Sequence, residues 1–238
     1  MADDFVQTLW IGSTLSSMER LCLSSFLHHR HEVHLYTYGN VDGIPSGVIV
    51  RDANEILPAS SVFTYREHPS YAGFSNFFRY KLLLERGGWW IDTDLVCLRP
   101  FHFEQRFVFS SEFVDGQVVP NTGAIRVPPG SDVVAWAWEC CAQLNVSNLK
   151  WGQSGPALFG ESIRLHDLLN HVQPPSVFCP VGFLEWQSLL DPDAVPALPE
   201  DTVALHLWNE MWRRSGASKD TAYPALCCYE RLKRTYLQ

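Results

Sequence analysis

The stretch Phe74–Pro100, FSNFFRYKLLLERGGWWIDTDLVCLRP, carries the strongest structural signals in this chain. Up to Arg86 its apolar residues recur at intervals of three and four positions, which predicts an amphipathic helix. Gly87 and Gly88 should end that helix, because glycine accepts the left-handed backbone that closes a helix C-terminus. The mostly apolar segment Trp89–Leu98 then predicts a buried strand.

Asp92 and Asp94 are the only charged residues of this predicted strand. Residues two apart on a strand lie on the same face, so we expect the two carboxylates side by side. Their repulsion needs a cation, and carboxylate oxygens are ligands that Mg²⁺ and Mn²⁺ prefer, often together with substrate phosphates. Two aspartates in a solvated loop are the plain alternative. Without metal, the repulsion predicts that Asp94→Asn is as stable as the wild type or more so.

The motifs around this pair follow a recognisable order: S-N-x-x-R-Y, a short helix, G-G-x-x and D-x-D. This order resembles the sugar-nucleotide-binding core of DxD glycosyltransferases, in the Och1-like, α1,4-galactosyltransferase-like and clostridial-toxin-like group, glycosyltransferase family 32-like. The residues that carry the resemblance are Ser75, Asn76, Arg79, Tyr80, Gly87, Gly88, Asp92 and Asp94. Many members have aspartate at the position of Asn76 and tyrosine at that of Trp90. The resemblance implies an α/β fold of the GT-A type, with a largely parallel, mixed sheet flanked by helices.

Two segments outside the centre extend the resemblance. L-W-I-G at residues 9–12 is similar to the first strand of the family, which implies that Trp10 stacks on uracil with Ile11 beside it. A-L-H-L-W-N at residues 204–209 is similar to the H-x-W motif that closes over the diphosphate. There His206 becomes a third metal ligand, and the Trp208 indole N–H donates to a phosphate oxygen. The alternatives are a core tryptophan at Trp10 and a strand cap at His206.

The resemblance implies metal-dependent, retaining transfer of a hexose from a nucleotide sugar, with UDP as the expected nucleotide, to a saccharide hydroxyl. Mn²⁺ or Mg²⁺ held by Asp92, Asp94 and His206 would neutralise the departing diphosphate. Arg79 and Asn76 would orient the hexose. Asn121 resembles the asparagine that members place beside the transferred sugar.

Length and charge bound the remaining possibilities. A chain of 238 residues is long enough for one α/β domain, with a nucleotide-binding core at about 7–127 and an acceptor side at about 128–238. The net charge of −8 argues against non-specific binding to nucleic acid. Residues 205–238 hold six Lys+Arg against three Asp+Glu. Basic residues from Met211 to Gln238 could meet an anionic membrane, although a packed helix explains them with less assumption.

The cysteines and the N-terminus point to a cytoplasmic protein. The seven cysteines include no C-x-x-C spacing, which favours reduced, buried thiols. No signal peptide and no apolar run long enough to span a membrane is evident. We therefore expect a cytoplasmic enzyme of surface polysaccharide or glycolipid synthesis, with peripheral contact at the inner membrane face as an option, unless an anchor has been removed.

Other segments give weaker signals. Alternation predicts strands near residues 8–11, 33–38, 107–111 and 123–127, with a turn at Asn121–Gly123, and a helix near 16–28. The Pro- and Asp-rich residues 173–201 are expected to form mostly irregular surface.

Two rival functions differ in chemistry. A haloacid-dehalogenase-like phosphatase also uses D-x-D at a strand end, but its motif normally opens the chain, and Lys150 and Asp191-Pro192-Asp193 are poor partners. A carbohydrate-binding protein would use the tryptophans, and it would bind glycans without nucleotide or metal.

Overall fold

Eight strands and seven α-helices form the regular structure of residues 5–66, 69–194, 196 and 198–237, the part that this computed structural model describes. The strands are β1 (Val6–Trp10), β2 (Val33–Thr37), β3 (Ile49–Asp52), β4 (Gly88–Ile91), β5 (Leu95–Cys97), β6 (Val108–Val114), β7 (Gln117–Val127) and β8 (Ala204–His206). The helices are α1 (Ser17–His28), α2 (Ala72–Arg86), α3 (Asp132–Ala142), α4 (Pro156–Leu165), α5 (Pro175–Phe178), α6 (Asn209–Ser215) and α7 (Cys228–Tyr236).

The main sheet has six strands in the order β3-β2-β1-β4-β7-β6. Strands β3, β2, β1 and β4 are parallel, whereas β7 is antiparallel to both of its neighbours, β4 and β6. It follows that β7 alone runs against the other strands of this sheet. Strands β5 and β8 form a separate antiparallel pair. The predicted α/β fold with a largely parallel, mixed sheet flanked by helices is confirmed.

Both faces of the sheet are buried, and β4 shows this most directly. Trp89 and Ile91 face the core cluster that contains the apolar side of α1. Trp90, between them, faces the cluster that contains α2, α3 and α4. This alternation explains why β4 is apolar at every position, because a central parallel strand has no solvent face.

The predicted continuous strand Trp89–Leu98 is wrong in one respect. The strand β4 ends at Ile91 and β5 begins at Leu95, and residues 92–94 form a turn between them. The backbone N–H of Asp92 donates to Gly123 O at 2.8 Å, and that of Leu95 donates to Asp92 O at 3.1 Å. The aspartate pair is therefore placed by a hydrogen-bonded turn and not by the alternation of a strand.

The predicted turn at Asn121–Gly123 is also wrong, because these residues lie inside β7. The hairpin between β6 and β7 turns at Asp115 and Gly116, whose φ angles are 50° and 76°. Residues 121–124 instead form a bulge, since Ser111 pairs with Pro120 whereas Phe109 pairs with Ile125. Bulges bend a strand and redirect its groups, and this one turns the Thr122 and Gly123 carbonyls toward α2 and Asp92.

Residues 173–201 are more ordered than their composition suggests. They contain α5 and a 3₁₀ segment, Phe183–Leu190. Phe178, Trp186 and Leu189 from this region belong to the hydrophobic core. The expectation of irregular surface is wrong for residues 175–190, because prolines start α5 at its first turn, where proline is tolerated, and the aromatic residues that follow join the core. Residues 191–201, where described, lie outside helices and strands, as expected.

The C-terminal segment packs onto the body of the protein. Trp212 is fully buried, and its ring lies 5.3 Å from Trp186 and 4.8 Å from Tyr229, centroid to centroid. Lys233 pairs with Glu230 at 2.6 Å. Trp212 is therefore a core residue and cannot contact a membrane in this structure. Among the described residues, none of the helices combines the length and apolar character needed to cross a bilayer.

Gly87 sets the geometry between α2 and β4. Its φ of +63° is left-handed, and a Cβ atom placed there would lie 2.4 Å from the backbone nitrogen of Pro129. Gly130 has a similar φ of +71°, but a Cβ atom there meets nothing within 4 Å. The two glycines therefore share a positive φ but differ in steric contact.

We expect Gly87→Ala to lower the free energy of unfolding by about 2 kcal/mol more than Gly130→Ala does, because only the first variant adds a clash to the left-handed strain. Urea denaturation of both variants measures the difference. Equal losses would mean that the Pro129 backbone moves away at little cost.

Candidate active site

A cleft of about 990 Å³ opens at the carboxyl ends of β1 and β4. Its walls come from the first half of α2, the β6–β7 hairpin, residues 151–157 and the segment around α6. Ligands of open α/β sheets bind at this edge, outside the carboxyl ends of the strands. The volume lies near the upper end of the range for ligand sites, so it can hold a large ligand or two substrates.

Asp92, Asp94 and His206 converge in this cleft, as the sequence predicted. One ligand atom from each lies within 4.8 Å of the others. His206 reaches the pair because β8 pairs with β5, which places His206 opposite Leu95. Its Nε2 atom lies 3.4 Å from Asp94 Oδ1 and 4.0 Å from Asp92 Oδ2.

The environment of His206 fits a metal ligand. Both ring nitrogens are buried, and neither makes a hydrogen bond of acceptable geometry. Buried polar atoms are nearly always hydrogen-bonded, so an unsatisfied imidazole beside two carboxylates calls for a partner. An oxygen and nitrogen donor set of this kind suits a divalent ion such as Mn²⁺ or Mg²⁺. The residues present therefore fit the metal that the sequence predicted.

Asp94 is held in its ionised form. Burial raises its pKa, but the neighbouring His206 and the backbone N–H of Asn209 outweigh burial and lower the pKa to about 2. The N–H of Asn209 donates to Asp94 Oδ2 at 2.7 Å, and the N–H of Leu207 donates to the Asp94 carbonyl at 2.8 Å. In return, the charges of Asp94 and Asp92 raise the pKa of His206 against the opposing effect of burial.

Asp92 is oriented by the guanidinium group of Arg79 and the indole N–H of Trp90. Its Oδ1 atom lies 3.0 Å from Arg79 Nη2 and accepts a hydrogen bond from Trp90 Nε1 at 2.9 Å. Burial and the charge of Asp94 raise the pKa of Asp92, and Arg79 opposes them. Because Oδ1 is engaged, Oδ2 is the oxygen that faces His206.

Arg79 and Asn76 both line the cleft from α2. The Arg79 guanidinium donates to Thr122 O and to Ser75 Oγ, and it lies 4.8 Å from the centroid of the Trp90 ring. Asn76 Nδ2 donates to Ser154 Oγ at 3.2 Å. These bonds fix both side chains before any ligand binds.

Trp10 and Ile11 line the cleft at the end of β1. The ammonium group of Lys219 lies 5.7 Å from the centroid of the Trp10 ring. Lys219 is held there by Glu19, whose side chain is fully buried. A basic residue from the C-terminal segment therefore lies at the end of the cleft where Trp10 was predicted to stack on a base.

Two predicted site residues make contacts that differ from their expected roles. Asn121 is buried, its Oδ1 accepts from Ser110 Oγ and from Gly123 N, and its Nδ2 donates to Cys179 Sγ at 3.3 Å. Trp208 Nε1 donates to Val181 O at 2.8 Å, so this N–H is not directed at the cleft. The Trp208 ring instead packs against His206, with 4.1 Å between centroids, and so positions the imidazole.

Two cleft residues were missed by sequence reasoning. Glu112 lies on β6, where the run Ser110–Val114, SSEFV, carries no motif that marks a site. Lys219 lies beyond α6, in a basic segment whose composition suggested contact with solvent or a membrane and not with the cleft. The candidate phosphatase residues Lys150 and Asp191 do not line this cleft.

Comparison with known proteins agrees with this geometry. Residues 13–113 match the family model described as a glycosyltransferase sugar-binding region containing a DXD motif. A human alpha-1,4-N-acetylglucosaminyltransferase is 25% identical over 153 residues, which are 58% of this chain and 42% of that protein. The match thus spans less than half of the length of that relative.

Solved structures extend the likeness to the whole chain. The PaToxG glycosyltransferase aligns over 99% of this chain and 85% of its own, with a TM-score of 0.52 and 15% identity. The galactosyltransferase LgtC, in complex with donor and acceptor sugar analogues, aligns over 92% of this chain and 97% of its own, with a TM-score of 0.44 and 12% identity. The fold is that of the GT-A glycosyltransferases, as the sequence predicted.

The charge repulsion expected between Asp92 and Asp94 is compensated in the structure, which reverses the prediction for Asp94→Asn. Because the folded pKa of Asp94 is about 2, below the ordinary value of 3.8, its ionisation stabilises the metal-free protein at neutral pH. We expect Asp94→Asn to lose about 2 kcal/mol in EDTA at pH 5 to 7.

The pH dependence tests the cause. A lowered carboxylate pKa contributes stability above its unfolded pKa and loses it as the pH falls toward the folded pKa. The loss measured by urea unfolding should therefore shrink below about pH 4. Asp193→Asn, at an exposed position, serves as the control and should change little at any pH. A loss that is independent of pH would point to packing instead.

Proposed function

We propose that this chain, in which residues 13–113 form a DXD-containing glycosyltransferase sugar-binding region, transfers a hexose from a nucleotide sugar to a saccharide hydroxyl. The observation that carries this proposal is the convergence of Asp92, Asp94 and the unsatisfied His206 imidazole in one large cleft. Such a donor set supports a divalent metal, and a metal in this cleft supports a diphosphate-linked substrate.

Asp92, Asp94 and His206 would hold the Mn²⁺ or Mg²⁺ ion. When bound, the ion supplies positive charge that neutralises the departing diphosphate. The protein supplies the orientation: Arg79 and Trp90 hold Asp92, while Asn209 N holds Asp94. Because these contacts join protein groups to one another, they orient both carboxylates toward the proposed site.

The nucleotide sugar lies along the cleft in this proposal. Trp10 offers an aromatic face for the uracil of UDP, with Ile11 beside it. The Lys219 ammonium, near the same end, favours an anionic ligand. Arg79 and Asn76 lie on one face of α2 and would contact the hexose. Asn121 would hold the β7 backbone beside the hexose in place, because its polar atoms form hydrogen bonds within the protein.

The finer assignments rest on the family resemblance. We propose UDP as the nucleotide, retention at the anomeric carbon, and a saccharide or glycolipid as the acceptor. We place the reaction in surface polysaccharide or glycolipid synthesis in the cytoplasm. Contact of the C-terminal segment with the inner membrane face stays a prediction of the sequence, and the burial of Trp212 weakens it.

Thermal unfolding with UDP-sugars, with and without Mn²⁺, tests the metal and the nucleotide together. We expect each alone to stabilise the protein weakly and the pair to stabilise it strongly. At a ligand concentration of about 100 times the dissociation constant, binding stabilises the folded state by about 2.7 kcal/mol. For a chain of this size this raises Tm by about 5 to 10 °C. His206→Ala should abolish the combined effect, whereas His102→Ala, at an exposed position, should keep it. A shift that is the same without Mn²⁺, or that glycans alone produce, would contradict the proposed mechanism.

Trp10→Ala should weaken binding of free UDP and of the UDP-sugar equally, by about 1 to 3 kcal/mol, because stacking concerns the base and not the sugar. Calorimetric titration with Mn²⁺ present measures both affinities. Trp138→Ala, outside the cleft on α3, is the matched control and should leave both unchanged. An unchanged UDP affinity in folded Trp10→Ala would make Trp10 a packing residue only.

A further inference from the structure

The carboxylates that line the cleft are not equally compensated. They are Asp92, Asp94, Glu112 and Glu210. Asp92 pairs with Arg79, Asp94 lies against His206, and Glu210 pairs with Arg213 and Arg214 at 2.7 Å each. Within the described part of the chain, no lysine or arginine lies within ion-pair distance of Glu112. It is therefore the one cleft carboxylate among the described residues without a cationic partner.

The strand register directs Glu112 into the reaction centre. Glu112 pairs with Val119 of β7, and both residues line the cleft. Ser110, two positions earlier on β6, bonds to Asn121. The β6–β7 register shifts between Phe109 and Ser111, so alternation alone does not fix this face, but a hydrogen bond with Asn121 places Glu112 on the Asn121 side. Burial raises the pKa of Glu112, while the charge of His206 and a hydrogen bond from Asn121 oppose it.

Glu112 is close to the metal site without belonging to it. Its charge acts on His206, yet its oxygens are not among the atoms that converge within 4.8 Å. Glu112 and the Asp92–His206 group line the same cleft. A substrate whose diphosphate is held at Asp92 and Asp94 would place its sugar ring in this space, between α2 and the β6–β7 hairpin.

We propose that Glu112 is a catalytic residue whose carboxylate stabilises the positive charge that develops at the anomeric carbon of the donor hexose. This inference rests on the proposed glycosyl transfer. As the bond from the anomeric carbon to the diphosphate oxygen breaks, the electron pair leaves with the oxygen and the carbon becomes electron-deficient. The acceptor oxygen forms the new bond to that carbon, and its proton passes to the departing diphosphate.

A carboxylate without a counter-ion is suited to this task. Its negative charge is poorly compensated in the ground state and finds a positive partner only as the transition state forms. Interactions that are stronger in the transition state than in the ground state accelerate the chemical step. Arg79 and His206 cannot stabilise this positive charge. Arg79 is itself cationic, and His206 is a candidate ligand of the metal that would neutralise the diphosphate.

The test compares three variants with the wild type: Glu112→Gln, Glu112→Asp and, as a control on an exposed glutamate, Glu104→Gln. UDP release from UDP-glucose, UDP-galactose and their N-acetylhexosamine counterparts is measured with Mn²⁺ and a panel of saccharide acceptors. Thermal unfolding with Mn²⁺ and UDP reports ligand binding independently of turnover. Glu112→Gln keeps the shape of the side chain and removes a charge without a partner, so its unliganded midpoint should equal or exceed that of the wild type.

We expect kcat of Glu112→Gln to fall about 100- to 1000-fold, the loss typical of removing one transition-state electrostatic contact. Its donor KM and its Mn²⁺–UDP shift should stay near wild type. Glu112→Asp, which keeps the charge, should retain at least tenfold more activity than Glu112→Gln, and Glu104→Gln should retain all of it.

Three results would overturn the inference: turnover of Glu112→Gln within tenfold of wild type, equal losses in Glu112→Gln and Glu112→Asp, or loss of the Mn²⁺–UDP shift in Glu112→Gln. A wild type that binds Mn²⁺ and UDP but releases UDP from no donor in the panel would remove the proposed function itself.

Discussion

Arg79, through its ion pair with Asp92 and its hydrogen bond to Thr122, holds together three elements that form the cleft. Arg79 extends from α2, Asp92 lies in the turn after β4, and the Thr122 carbonyl that Arg79 also bonds belongs to the bulge of β7. Arg79 is almost fully buried. Removing one partner of such a pair leaves an uncompensated charge, which costs several kcal/mol. The helix, the turn and the bulge are therefore fixed together.

The candidate metal site depends on the same three elements, and it also needs the C-terminal segment that carries His206 and Asn209. His206 arrives on β8, which pairs with β5 more than a hundred residues earlier in the sequence. Asn209, just beyond it, bonds Asp94, and Trp208 packs against the imidazole. Because these contacts join distant segments, the group forms only when the fold is complete. Its precision comes from the tertiary structure and not from the D-x-D spacing.

The sequence was informative where local chemistry decides the structure. The periodicity of α2 and the Gly87-Gly88 stop were predicted in this way, whereas the convergence of His206 with Asp92 and Asp94 was predicted from the family resemblance. The break in the strand after Ile91 was not, because it depends on a hydrogen bond to Gly123 in a distant strand. The β7 bulge and the position of Glu112 depend on hairpin register, which alternation alone does not fix. The Trp208 N–H was misassigned because its acceptor, Val181 O, lies in a segment predicted to be irregular.

Charge balance explains why an acidic chain can offer a site to an anionic donor. The net charge of −8 disfavours a diphosphate at long range. Within the cleft, the Arg79 guanidinium offsets Asp92, and the charges of Asp94 and Asp92 raise the pKa of His206 against the effect of burial. In the proposed reaction, Asp92, Asp94 and His206 would hold a divalent ion, which would supply further positive charge to this group. The proposed metal would make the cleft attractive to the diphosphate, and the diphosphate would in turn strengthen metal binding. This expected coupling follows from the position of Asp92 and Asp94, which lie beside Arg79 and His206 just beyond the carboxyl end of a buried strand.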